Sequence, residues 1–403
     1  MAVPQTLPFL YSEGTVPGGA GVRDRERDIM KLKKSSLAGL AVLAGAAHAQ
    51  SSVTLFGAID TGLYYQSTSA ATFAPTAKNT GHVYVLKDAG IYSSFWGIKG
   101  TEDIGGGYKV NFRLQGVFNS GNGKLGLADT TGVSAIFNQQ STIGVSGPFG
   151  AIDAGRQYTP MIYAMAETDV RAAQYFGSIL SAWLGANQAA GWAGTNSNVP
   201  IGALYDSNAV VYQSPKFYGA SVALEYAPGG VPGQLQGGTR ESAVLRYSNY
   251  GLNLAAVYYN GHDTNLSATT PATGVDNNRF YYFGAKYTFH GLSASASYGI
   301  GKNPANPNRA DYELISGGLG YQFNPFFKVT SGYYYVKDRN NSANHSSEYA
   351  LGAEYGLSTR TLLYAQVGYA ANRGTMNQLI GYGEPVAPGV STTAAMIGIR
   401  HNF

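Results

Sequence analysis

Tyr108-Lys109-Val110-Asn111-Phe112-Arg113-Leu114-Gln115-Gly116-Val117-Phe118 alternates strictly over most of its length. In an extended chain Tyr108, Val110, Phe112, Leu114 and Phe118 crowd the apolar side, while Lys109, Asn111, Arg113 and Gln115 share the opposite face. Period two marks a strand whose two faces meet different solvents. Residues 348–357 repeat the pattern, with Tyr349, Leu351, Ala353, Tyr355 and Leu357 on one face and Glu348 and Glu354 on the other. A soluble sandwich also alternates, so the number of strands and the way they are joined must separate the two cases.

Working outward, the pattern predicts strands near 52–66, 83–99, 107–119, 133–146, 150–157, 206–214, 218–227, 240–249, 252–261, 278–289, 292–301, 310–323, 326–338, 347–357, 360–371 and 391–403. That is an even set of sixteen. Short turns at Gly105-Gly106, Gly147-Pro148, Pro215-Lys216, Tyr250-Gly251, His290-Gly291, Asn324-Pro325 and Ser358-Thr359 alternate with longer polar loops such as 67–81, 120–132, 228–238, 262–276 and 372–390. Short turns at one end and long loops at the other is the layout of an outer-membrane barrel. The expected fold is therefore all-β, a sixteen-stranded antiparallel transmembrane β-barrel. The runs Tyr64-Tyr65, Tyr258-Tyr259, Tyr281-Tyr282-Phe283 and Tyr333-Tyr334-Tyr335 read as girdles at the lipid headgroup level.

Composition agrees. Charged residues make up 12% of the chain, well below the roughly 25% of soluble domains. After residue 50 no apolar run approaches the roughly 20 residues that a spanning helix needs. The net charge of +4 is spread without a Lys/Arg block after the N-terminus, which argues against a nucleic-acid partner. With no cysteine, thiolate metal sites, disulfides and Cys nucleophiles are excluded together. Among His82, His262, His290, His345 and His401 none stands beside a Ser in a recognisable motif, so neither catalysis nor a cofactor is expected. Met30 to Ala49 has a basic start (Lys31, Lys33, Lys34), an apolar core and Ala47-His48-Ala49, and reads as a signal peptide cleaved before Gln50. Residues 1–29 then read as an extension ahead of the true start.

The chain from Gln50 resembles a general porin of the β-proteobacterial Burkholderia, Bordetella and Neisseria type over nearly its full length. The ordered matches are Ser52-Val53-Thr54-Leu55-Phe56-Gly57 with Asp60 and Gly62, Gly97 to Gly105, Ile143 to Gly147 with Phe149-Gly150, Gly155-Arg156-Gln157, Tyr212 to Pro215, and Gly398 to Phe403. The resemblance implies a passive, water-filled channel for ions and small hydrophilic solutes. It also implies a homotrimer in a lipid bilayer with lipopolysaccharide, and a third long loop, about 158–205, folded inward as a constriction. Phe403, on one face with His401, Ile399 and Ile397, would be the signal read by the barrel-assembly machinery.

Parity puts Asp60, Lys99, Lys109, Arg113, Lys328, Glu348, Glu354 and Arg400 on the lumen face. Lys or Arg turned to lipid would cost about 2–4 kcal/mol near the midplane. Lys99, Lys109, Arg113 and Lys328 would then form a basic wall facing Glu167 and Asp169 of the inserted loop, or simply a solvated wall. Three positions depart from the family, which commonly has arginine where this chain has Phe95, Gln139 and Tyr205; a weakened anion preference is expected, with Phe95 at the constriction. The loop is apolar, with Tyr175, Phe176, Ile179, Leu180, Trp183, Leu184 and Trp192. Those side chains form either an aromatic track for solutes or ordinary packing. A solute-specific channel, an adhesin or a receptor is the competing reading of the whole chain.

Overall fold

The computed structural model describes residues 52–125, 135–183, 203–264, 272–308 and 311–403. The expected leader Met30 to Ala49 and the stretch before it lie outside the described residues. The first half of the barrel is β1 (Ser52–Ala70), β2 (Asn79–Asp88), β3 (Ser94–Gly105), β4 (Tyr108–Phe118), β5 (Gln140–Gly147), β6 (Gly150–Tyr158), β7 (Tyr205–Gln213), β8 (Ala220–Ala227) and β9 (Arg240–Asn249). The second half is β10 (Leu252–His262), β11 (Asp276–Phe289), β12 (Leu292–Lys302), β13 (Asp311–Asn324), β14 (Phe327–Asp338), β15 (His345–Gly356), β16 (Thr361–Asn372) and β17 (Thr392–Asn402). Neighbours pair antiparallel in chain order, and β1 pairs β17 from Ala58 opposite Asn402 to Gln66 opposite Ala394. Closure removes the sheet edge that lipid could not satisfy.

The seventeen strands make sixteen staves. Residues 61–70 of β1 pair with β2, and residues 52–58 pair with β3, so β2 and β3 are one stave in two pieces. The continuous strand expected over 83–99 is thus broken at 89–93. Ala89 sits at φ 67, a conformation that ends the ladder. The N–H groups of Gly90, Ile91 and Tyr92 then turn inward and donate to the Asp60 carboxylate at 3.1, 3.0 and 3.2 Å. The fifth strand also starts later than expected, at Gln140, because Asn138 uses its side chain to accept from Val117 N at 2.9 Å.

Parity holds along the walls. Val53, Leu55, Ile59 and Leu63 are exposed on the outer face, whereas Ala58, Asp60 and Tyr64 are buried inside. The aromatic runs divide between the two faces. Tyr65 packs on Tyr84 and Tyr333 on Tyr349 outside, at 4.8 and 4.9 Å between ring centres, while Tyr64, Tyr259, Tyr282 and Tyr334 are buried in the lumen. Each run therefore gives one ring to the lumen, and only the remaining rings can serve as girdle. The inward rings join the main apolar core, gathered around a loop rather than between two sheets.

Asp263, just past β10 at φ 52, ties two of the long loops together. Its carboxylate accepts the N–H groups of Gly238, Thr273, Gly274 and Val275 at 3.0, 3.1, 2.8 and 3.2 Å. Burial pushes this carboxyl up, but the backbone donors outweigh it and hold it below the usual carboxylate range. A depressed folded pKa gives stability that is present above the unfolded value of about 3.9 and lost as pH falls through the folded one. Asp263→Asn is accordingly expected to speed protease cleavage in the loops at 228–239 and 263–275 at neutral pH. Unchanged cleavage rates would show that the carboxylate does not hold them.

Candidate functional site

The loop joining β6 to β7 lies inside the barrel along its described length. Thr159 closes its roots: its N–H donates to Leu204 O at 3.2 Å and its hydroxyl to Ala203 O at 2.5 Å. Pro160 then opens helix α1 (Pro160–Thr168), where a missing N–H is harmless and a fixed φ favours the first turn. The helix packs against lumen faces from β8 to β12. Its end is held by Glu167 on Arg246 of β9 at 3.2 Å and by the Thr168 hydroxyl on Tyr282 at 2.8 Å.

Beyond the helix the chain crosses to the far wall. Asp169 accepts from Tyr334 OH at 2.9 Å and from the backbone N–H groups of Arg171, Ala173 and Ile179. It therefore braces the loop from within and does not face the pore, contrary to expectation. Arg171, with none of its surface exposed, donates to Phe176 O at 2.9 Å, Thr330 Oγ1 at 3.1 Å and Gln366 Oε1 at 2.6 Å, and also to Gly177 O. Tyr175, Phe176, Ile179, Leu180 and Trp183 are buried. Phe176 meets Tyr64 and Trp183 meets Phe280 at 6.3 and 4.9 Å. These side chains pack; they make no track open to solutes. Leu184 and Trp192 lie outside the described residues.

The expected basic wall divides into separate groups. Lys99 and Arg113 stand opposite each other on β3 and β4, and both lie over the ring of Phe56, at 5.3 and 4.7 Å from its centre. Lys109 shares their face nearer the short turn, opposite Asp103. Lys328 instead pairs with Glu354 at 3.0 Å on the β14–β15 wall. Glu348 accepts from Ser181 at 2.9 Å, another tether for the loop. Asp60 and Arg400 are 0% and 2% exposed and pair at 3.2 Å across the β1–β17 seam. They are structural, not pore-lining.

Phe95 is 3% exposed. It packs edge-on against Phe56 at 6.0 Å, between Ala58 and Val117, which closes it off from solvent. The other two departures meet each other: Gln139 Nε2 donates to Tyr205 OH at 2.9 Å and to Ser93 Oγ at 3.1 Å, and Tyr205 OH donates to Tyr158 OH at 2.9 Å. Positions 139 and 205 thus join one hydrogen-bonded cluster of uncharged side chains, with Arg156 over the Tyr205 ring at 5.2 Å. Arg171 and Arg246 were not singled out in the sequence. For Arg246 the signal was present, since it shares the parity of Val244, whose side chain is buried inward.

A strand-closed cylinder with charged inner walls and a loop held in its lumen is the architecture of a diffusion channel, and the chain's relatives agree. The family model for Gram-negative porins matches residues 36–375. The chain belongs to the Gram-negative porin family. An outer membrane porin protein of Bordetella pertussis is 28% identical over 92% of this chain and its own full length. Outer membrane porin protein 32 of Delftia acidovorans is 29% identical over the same shares. Among solved structures, an anion-selective porin from Comamonas acidovorans superposes with a TM-score of 0.70 at 25% identity, covering 88% of this chain and 100% of that one. This porin is an outer-membrane channel, and its family is one of channels rather than enzymes.

Proposed function

We propose that this porin passes ions and small hydrophilic solutes with a weak preference for anions, set by Lys99 and Arg113 on Phe56. The observation that carries the reading is the state of the loop's acids. Glu167 is engaged by Arg246 and Asp169 is buried within the loop, so neither of these two acids is the counter-charge of Lys99 and Arg113 over Phe56. Fixed charge of one sign along a pore wall biases ion flow toward the opposite sign. The relative from Comamonas acidovorans is anion-selective by description, which supports the sign. Neutral residues at 95, 139 and 205 support the weakness.

Single-channel recording in planar bilayers with a salt gradient tests this. Discrete conductance steps with a small anion-directed reversal potential are expected; cation selectivity would sink the reading. Phe56→Ala keeps both charges but removes their shared platform, a contact of about 0.5–1 kcal/mol per cation at exposed sites. Its reversal potential should move toward zero, and an unchanged potential would mean that the ring does not position them. The homotrimer and the reading of Phe403 by the assembly machinery are carried over from the family. In support of the second, Phe403 exchanges backbone hydrogen bonds with Gly57 at 3.0 and 3.1 Å, at the closing seam.

A further inference from the structure

We propose that the inner wall between β7 and β10 holds a monovalent metal cation of the sodium or potassium kind, bound by Glu225 and Ser242 with Asp206 beside them. Register brings these residues together. Glu225 on β8 stands directly opposite Ser242 on β9, and Ser242 stands opposite Tyr259 on β10. Side chains opposed in this way start about 4.5–5.5 Å apart at Cβ, so one ion can touch both Glu225 and Ser242. Each of the two is 5% exposed, and Tyr259 and Asp206 are buried with them. The Tyr259 hydroxyl donates to Asp206 Oδ2 on β7 at 2.9 Å, reaching across the two strands between them.

Among the described residues neither carboxylate oxygen of Glu225 meets a hydrogen-bond donor, and Ser242 Oγ has no partner either. Buried polar atoms are normally paired, and a bare carboxylate is the costliest exception. The charges close enough to act on Glu225 are those of Asp206 and Arg240. Arg240 is committed elsewhere. Its Nε lies 3.8 Å from Asp206 Oδ1, and its Nη1 donates to the backbone oxygens of Gly238, Thr239 and His262 at 2.8, 3.0 and 2.6 Å. Two carboxylates against one guanidinium leave a single negative charge uncompensated in the wall. One monovalent cation restores neutrality, whereas a divalent ion would overshoot it. The oxygens of Glu225, Ser242 and Asp206 form a donor set that suits a hard metal ion. The site is independent of which ion the pore passes better.

Urea unfolding of the whole barrel in detergent micelles tests this, at fixed pH and ionic strength, with sodium or potassium exchanged for N-methyl-D-glucamine, a cation too large for the site. Above the dissociation constant, the unfolding equilibrium constant should fall about tenfold for each tenfold rise in the bound metal ion. Glu225→Gln removes the uncompensated charge. It should show no dependence on the cation and should match or exceed the wild type in N-methyl-D-glucamine. Equal wild-type stability in all three salts would overturn the proposal, as would the same dependence in Glu225→Gln. A response to calcium or magnesium alone would also overturn it, and so would a wild type stabilised by acid in place of metal, which would put a proton on Glu225. Crystals soaked in thallium(I), a strong scatterer that mimics potassium, give a readout free of folding. An anomalous peak between Glu225 and Ser242 is expected in the wild type and not in Glu225→Gln; a wild type without the peak would refute the site.

Discussion

Asp60→Asn is expected to cost the folded barrel about 3–5 kcal/mol, because it strips a buried charge of its partner. The carboxylate accepts from Gly90, Ile91 and Tyr92 N–H, from Tyr364 OH at 2.7 Å and from Arg400 at 3.2 Å. An amide would set a donor among five donors and leave the Arg400 charge buried beside it. Reversible unfolding in urea, with the protein in detergent micelles, measures the loss. The control is Asp60→Asn combined with Arg400→Met: if the ion pair is the cause, the double variant should lose less than the sum of the two singles. A loss under about 1 kcal/mol for Asp60→Asn would mean that water reaches the seam and that the site is not the closed knot the geometry shows. Because the same carboxylate shapes residues 89–93, and Ile91 O holds Tyr175 N, the variant should also be electrically noisier.

That coupling explains which features could be read in the sequence. The staves were legible because lipid outside and water inside impose period two on every strand, and residues 108–118 or 348–357 carry it without tertiary help. The break in the second stave was not legible. Ala89 to Ser93 leaves the ladder only because Asp60, a stave away, offers acceptors for three N–H groups, and no local pattern announces that. The aromatic runs were over-read as girdle for a simpler reason: parity within Tyr333-Tyr334-Tyr335 already requires one ring to face the lumen, where Tyr334 holds Asp169. The placement of Arg171 was beyond the sequence, since a loop has no period to assign its side chains. The packing of Phe95 against Phe56, Ala58 and Val117 was not legible either, since alternation does not encode how far neighbours cover a side chain.

Charge reversal at the Phe56 platform should have the largest effect on transport. Each cation about 5 Å from a passing ion contributes roughly 0.8 kcal/mol in water, and screening at 0.1 M salt lowers this to about 0.5 kcal/mol. Attraction for one ion sign and repulsion for the other compound, so neutralising one cation should shift the anion-to-cation permeability ratio about fivefold. Lys99→Glu with Arg113→Glu goes further and should turn a weakly anion-preferring pore into a cation-preferring one. The reversal potential in a salt gradient would change sign. Lys328→Glu is the matched comparison: Lys328 already pairs with Glu354, so its effect at the platform should be small. If the Lys328 variant shifts selectivity as strongly as the platform pair, ions run along the β14–β15 wall and Lys99 and Arg113 do not set the selectivity.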